Sequence, residues 1–272
     1  MPELPEVHTV VEGLKSVILG KTIESCYLTD KHFRGAKLLF NPNDLLGLTV
    51  KSCKRRAKYI LIGFTNNSTL LLHLGMSGKA LAASSFKESI HNHLIIKFTD
   101  LFYLIFNDPR RFGMIKLIGA DGLADEPLLV SLGLEPLEKE FTARALHDFC
   151  LDSKSPIKSL LMNNKFIVGV GNIYASEALF DAGIMPNRPA NTLSYNEAII
   201  LHKAIIKVLQ LAISSGGSTL RDYADSRGQS GNFQHYFNVY GKNGLGCVKC
   251  SDLVKKIVIG NRSTFYCSTC QI

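Results

Sequence analysis

The chain has 272 residues, a formal net charge of +8, and charged side chains at only 20% of its positions. That length leaves room for two cored domains, and the sparse charge excludes a disordered basic tail. A basic but well-packed chain suits a polyanionic partner, nucleic acid before an anionic membrane.

The chain opens on Pro2-Glu3-Leu4-Pro5-Glu6. With Met1 removed, Pro2 presents a secondary amine, and an α-amino group titrates at about pKa 7.7–8.0, so part of it is an uncharged nucleophile near neutrality. A secondary amine attacking an aldehyde-like carbon forms a charged iminium, a strong electron sink. Glu3 and Glu6 are three residues apart at the start of a helical pattern, on one face, where they supply acid/base groups. The same residues would also serve simply to stiffen a chain end and favour a helix N-terminus.

Val7, Val10, Val11, Leu14, Val17 and Ile18 recur at helical spacing until Gly20, which predicts a first helix with one buried face. Strands are expected over residues 22–28, 48–54, 59–64, 69–74, 94–98, 102–106 and 113–118, with turns at 65–68 and at Asp108-Pro109. Strands spaced this closely read as a β-sandwich.

Lys54-Arg55-Arg56-Ala57-Lys58, the densest basic cluster, falls between two of these strands. It would grip phosphates or solvate a turn, and Lys58, opening an apolar strand, is its most directed member. Residues 73–78 leave a strand through two glycines, and residues 107–113 set Arg110 and Arg111 beside Phe112. Arginine next to an apolar wedge suits a duplex from which one base has been extruded, although ordinary packing would use the same residues.

Near residues 132–136 the pattern turns helical, with helices expected over 142–150, 156–163, 172–182 and 194–215. Gly169 and Gly171 precede the third of them, which suits either an anion at a helix N-terminus or a tight helix connection. Residues 218–233, rich in Ser, Gly, Asp and Arg, read as a mobile loop of the kind that closes over ligands.

Cys26 and Cys53 lie in strand-like runs as small buried thiols, and Cys150 stands apart. Cys247, Cys250, Cys267 and Cys270 form two short hooks with sixteen residues between them, spacing that presents four thiolates to one Zn²⁺. Two disulfides are the alternative, disfavoured where no secretory signal is read. Lys255, Lys256 and Arg262 fall in the loop between the hooks; with Lys242 and Lys249 they outnumber Asp252 and suggest DNA contact, while zinc could equally be structural alone. No run approaches eighteen apolar residues, so no membrane helix is expected.

Taken together and in order, the Pro2–Glu6 start, Lys58, the 73–78 loop, residues 108–113, 169–177 and 216–223, and the paired cysteines resemble the bacterial formamidopyrimidine-DNA glycosylases along the whole chain. The resemblance implies an α+β architecture: an N-terminal catalytic β-sandwich with a leading helix (1–133), a helix–two-turn–helix domain (134–225) and a zinc ribbon (226–272), with DNA in the cleft between. It implies a bifunctional glycosylase and abasic-site lyase that flips oxidised purines such as 8-oxoguanine and formamidopyrimidines from duplex DNA, then cuts by β,δ-elimination. Pro2 would be the nucleophile at the sugar C1′ and Glu3 the acid/base, with Glu6 in support. Lys58 and Arg262 complete the catalytic set as phosphate contacts near the lesion. Met76, Arg110 and Phe112 would fill the void left by the flipped nucleotide and contact the orphaned cytosine. His91, Lys158, Asn172 and Arg221 would be further DNA contacts, Arg221 in the approach to the loop that caps the damaged base. One structural Zn²⁺, a monomer and a bacterial cytoplasmic, nucleoid-associated setting follow. His8, where relatives commonly carry an acidic residue, is a departure on the first helix, away from this chemistry. The alternatives are an endonuclease VIII-type enzyme for oxidised pyrimidines, disfavoured by Leu4 and by the 110–112 loop, a non-catalytic zinc-ribbon DNA binder, and, more distantly, a phosphate-binding metabolic enzyme.

Overall fold

The computed structural model describes residues 1–33, 40–219 and 223–272. They form two compact units, Met1–Val130 with Ser215–Gln234, and Ser131–Ser214 with His235–Ile272. Residues 215–234, which the expected three-part division shared between its second and third domains, thus pack with the first unit, drawn there by hydrogen bonds to the leading helix and to a sheet edge.

In the first unit, α1 (Leu4–Ile18) begins with a proline in its first turn and with the Glu6 carboxylate accepting the Glu3 N–H at 2.8 Å. Its apolar stripe, Val7, Val10, Val11, Leu14 and Ile18, is fully buried. Eight strands follow: β1 (Ile23–Leu28), β2 (Val50–Arg56), β3 (Tyr59–Phe64), β4 (Thr69–His73), β5 (Lys79–Ala83), β6 (Asn92–Phe98), β7 (Tyr103–Asn107) and β8 (Met114–Ile118). They pair antiparallel in two four-stranded sheets, ordered β1-β6-β7-β5 and β2-β3-β4-β8. Alternate residues such as Ile60 and Ile62, Leu94 and Ile96, and Leu104 and Phe106 point into one core shared with α1. This is the sandwich expected, with one addition: β5 was not read as a strand. A short helix, α2 (Pro127–Val130), ends this part of the unit.

The basic cluster is corrected in detail. Residues 54–56 lie within β2, and Ala57 and Lys58 form a two-residue hairpin turn between the paired Arg56 and Tyr59, with Ala57 at φ +52°. Lys58 is therefore a turn residue, and it is buried.

The second unit holds α3 (Ala143–Leu151), α4 (Ile157–Leu161), α5 (Asn172–Ala182) and α6 (Tyr195–Ser214), all within two residues of the expected spans. Ser194 and Glu197 close a capping box at the start of α6. The Arg188 guanidinium grips Glu197 with two bonds of 2.5 and 2.8 Å and holds its carboxyl down at about 2. Lys255, Lys256 and Arg262 do not lie in a loop: β9 (Lys255–Ile259) and β10 (Arg262–Tyr266) form a hairpin, turned at Gly260 and Asn261, both at positive φ. None of the described helices is long and apolar enough to cross a membrane.

Candidate active site and nucleic-acid interface

The N-terminal residues form a buried, tightly bonded start. Met1 is half exposed, Pro2 is buried, and Glu3 and Glu6 are 4% and 2% exposed. One Glu6 oxygen takes the Glu3 amide; the other accepts the Ser218 N–H at 2.7 Å and the Ser218 hydroxyl at 3.0 Å. The Tyr223 hydroxyl, pushed well above its ordinary pKa by burial and then by the Glu6 charge, stays a donor to the carbonyls of Glu6 and Gly216. Gly217 stands at φ +78°, and a Cβ there would lie 3.0 Å from the Glu6 side chain, so only glycine brings the backbone this close. Glu6 therefore joins the chain start to Ser218 and Tyr223. Arg221, an expected DNA contact in this stretch, lies outside the described residues. The segment returns along the sheet, where the Ser226 carbonyl accepts the Ala82 amide of β5.

Two loops at the ends of β4 and β7 carry Met76, Arg110 and Phe112. Met76 and Arg110 are exposed, and the Arg110 guanidinium lies 4.6 Å over the Phe112 ring. Between the loops sits Asp108, with no exposed surface. One of its carboxylate oxygens accepts the Ser77 hydroxyl at 2.6 Å and the Arg110 amide at 3.2 Å, and the other accepts the Gly113 amide at 2.7 Å. Sequence reasoning treated Asp108 only as a turn former; the Asp-Pro step with a glycine five residues on is the signal available for it.

At the base of the Met76 loop, the Nδ1 of His73 accepts the Gly75 N–H at 3.1 Å. Burial, reinforced by the Lys58 charge, holds His73 down at about pKa 4, so it is neutral and serves as an acceptor. Half-buried His91 accepts the Asp108 N–H through its carbonyl at 3.0 Å, which ties it to the same loop pair.

The second unit gathers Lys158, Asn172 and the start of β10. The Lys158 ammonium is almost wholly buried and donates to Asn172 Oδ1 at 2.6 Å and to Thr264 Oγ1 at 2.7 Å. Asn172, the first residue of α5, gives its Nδ2 to the Ser263 carbonyl at 3.0 Å. These bonds hold the N-terminus of α5 against the strand that begins at exposed Arg262. Glu177 of α5 accepts the backbone amides of Asn238, Val239 and Tyr240, fixing the chain that leads into the cysteine hooks.

The thiols of Cys247, Cys250, Cys267 and Cys270 lie within 4.8 Å of one another. The pairs 247/270 and 250/267 are 3.8 and 3.5 Å apart, far beyond a disulfide bond. Zn–S bonds of about 2.3 Å in a tetrahedron require sulfurs about 3.8 Å apart, so the four residues fit one closed structural zinc site. Cys26, Cys53 and Cys150 are different in kind: burial pushes each thiol up to about 12, which makes them inert packing groups.

Comparison with known proteins agrees with this geometry. Family models described as the formamidopyrimidine-DNA glycosylase N-terminal domain, its H2TH domain, and a zinc finger found in FPG and IleRS match residues 1–115, 132–224 and 244–272. The formamidopyrimidine-DNA glycosylase of Neisseria meningitidis is 43% identical with both chains covered throughout, and that of Rickettsia conorii is 42% identical over this whole chain and 99% of its own. The crystal structure of MutM (Fpg) from Thermus thermophilus matches with a TM-score of 0.87 and 36% identity over 99% of this chain and 98% of that one. Lactococcus lactis Fpg in complex with abasic-site DNA gives 0.89 and 35% over 99% of each. With all three segments matched in order and such identity sustained end to end, the chain belongs to the formamidopyrimidine-DNA glycosylase family.

Proposed function

We infer that the protein is a base-excision DNA glycosylase with abasic-site lyase activity, acting on duplex DNA that carries oxidised purines or abasic sites, and that Pro2 is its nucleophile. The observation that carries this is the buried Pro2–Glu6 start, bonded through Glu6 to Ser218. Once Met1 is removed, the Pro2 secondary amine attacks C1′ of the damaged nucleotide, and the glycosidic bond breaks with departure of the base. The carboxyl of Glu3 handles the proton that opens the sugar ring. The resulting iminium acidifies the C2′ proton; loss of that proton expels the 3′ phosphate, and a second elimination expels the 5′ phosphate. Glu6 holds Glu3 in place by its amide.

The base must leave the stack before this chemistry can occur, so Met76, Arg110 and Phe112 occupy the vacated space, with Arg110 donating to the orphaned cytosine. Lys58, His91, Asn172 and Arg262 act on the backbone around the lesion, and Arg221, in the approach to the capping loop, adjusts base preference. Lys158 is better read as the residue that positions Asn172 and β10 than as a direct phosphate contact, because its ammonium is spent on internal acceptors. Zinc, held by the four cysteines, fixes the ribbon's shape and takes no part in bond making. The enzyme works as a monomer in the cytoplasm, on nucleoid DNA.

The test is a borohydride trap with duplexes carrying 8-oxoguanine opposite cytosine or an oxidised pyrimidine. A covalent protein–DNA band is expected, stronger on the purine lesion, lost in Glu3→Gln and weakened in Pro2→Gly, whose primary amine still forms a reducible imine. A band on the pyrimidine duplex alone would move the activity to the endonuclease VIII type. No band on either, with duplex binding intact and Met1 absent by mass, would sink the catalytic reading.

A further inference from the structure

We propose that Asp108 is the positioning residue that makes the two void-filling loops act as one rigid probe. The inference rests on the reading that Met76, Arg110 and Phe112 enter the DNA. Those side chains come from separate loops, at the ends of strands in different sheets. The pairing of β4 with β8 brings the bases of the two loops together, and one carboxylate ties the loops themselves. It holds the Met76 loop through the Ser77 hydroxyl and the arginine loop at two points, the amides of Arg110 and Gly113.

The main chain of Asp108 extends the junction: its carbonyl meets His93 Nε2 at 3.0 Å and accepts the Arg111 amide at 3.2 Å. Arg111 sits at φ +54°, a conformation costly for a non-glycine residue, so the loop needs an external brace to keep its shape. Gly75 closes the fit, since a Cβ there would stand 2.4 Å from the Phe112 backbone. A carboxylate is the group required, because every one of its three partners is a donor, and an ionised carboxylate only accepts.

Asp108→Asn tests this at constant shape, since one of its two acceptor atoms becomes a donor. Ser77→Ala removes the side-chain bond from the Met76 loop and leaves the two amide bonds within the arginine loop intact. Three measurements are made on each folded variant: single-turnover excision from an 8-oxoguanine duplex, the fluorescence rise of a 2-aminopurine beside the lesion as the probe enters, and borohydride trapping on single-stranded abasic DNA, which has no void to fill. For Asp108→Asn, duplex excision is expected to fall by about tenfold or more, with the fluorescence rise lost and single-strand trapping kept. For Ser77→Ala the same pattern is expected at about threefold.

Duplex excision and fluorescence within about twofold of the parent in either folded variant would overturn the proposal. So would an equal loss on duplex and single strand, because that marks a general structural defect. If Asp108→Asn does not fold, Ser77→Ala decides alone. Failure of the unaltered protein to trap single-stranded abasic DNA would instead refute the glycosylase reading beneath it.

Discussion

Gly75→Ala offers the sharpest test of how closely the probe loops are fitted. Gly75 stands at φ +60°, where an L-residue costs about 1–2 kcal/mol. The added methyl would lie 2.4 Å from the Phe112 carbonyl carbon and 2.5 Å from the Gly113 nitrogen. Ordinary contact begins at 3.4 Å against that 2.4 Å, so the loops must part by about 1 Å, and both obstructing atoms are backbone. Overpacking of this kind adds about 1–3 kcal/mol, for a total of about 2–5 kcal/mol. At about 2–4 °C per kcal/mol for a unit of this size, melting should fall by at least about 4 °C. A displacement of about 1 Å in a positioning element can cost about a hundredfold in rate, so duplex excision should drop far more than trapping on single-stranded abasic DNA. Calorimetry and single-turnover cleavage read the two effects separately. A variant that melts within about 1 °C of the parent and excises at its rate would refute the argument, since the loops would then have slack that the structure does not contain.

Further outcomes follow from other parts of the structure. Lys158→Met should leave the Asn172 and Thr264 oxygens without their buried donor, a cost of about 1–3 kcal/mol, and should weaken duplex binding without changing its salt dependence. A drop of about 0.9 in the log–log salt slope would instead mark Lys158 as a direct phosphate contact. Cys267→Ser, or removal of the metal with a strong chelator, should unfold the β9–β10 hairpin and abolish duplex binding, read by metal content and limited proteolysis; a hairpin that resists proteolysis without metal would count against structural zinc. His73 is held at about 4 when folded and near 6.5 when unfolded, so the unfolded chain binds the extra proton in that window and stability falls as pH drops from about 6.5 to 4. His8 and His93 are shifted in the same direction, so the check is a comparison: His73→Asn, which keeps an acceptor but cannot titrate, should have the shallower pH slope in chemical denaturation. An unchanged slope would remove His73 from the account.

The sequence carried the architecture where one face of an element is buried. The α1 stripe and the alternating residues of β3, β6 and β7 announce their periods because each packs against the shared core. It failed at β5, whose Lys-Ala-Leu-Ala-Ala has weak β propensity and becomes a strand through its pairing with β7. It failed again at β9, whose residues are mostly solvated, so no buried face writes a pattern; the Gly260-Asn261 step was the available hairpin cue. Zinc ligation was legible because four cysteines at fixed spacing have few other uses. Asp108 and Ser218 were not, because their importance lies in partners 31 and 212 residues away. The burial of Lys158 was hidden for the same reason: a lysine four residues past Lys154 reads as surface until Thr264 is known to lie against it.

The partition of the chain also sets an order of assembly during synthesis. Residues 215–234 belong to the same unit as residues 1–130, so that unit stays incomplete until the ribosome has passed the whole of 131–214. At about 5–20 residues per second, some 10–50 s separate the emergence of Met1 from that of its last structural partner. Until then Glu6 has no Ser218 to hold, and the start of the chain is not yet sealed. Pro2 is buried in the finished fold, so during that interval its surroundings are more open than they later become. The partition thus delays the closure that buries Pro2 until nearly the whole chain has been made.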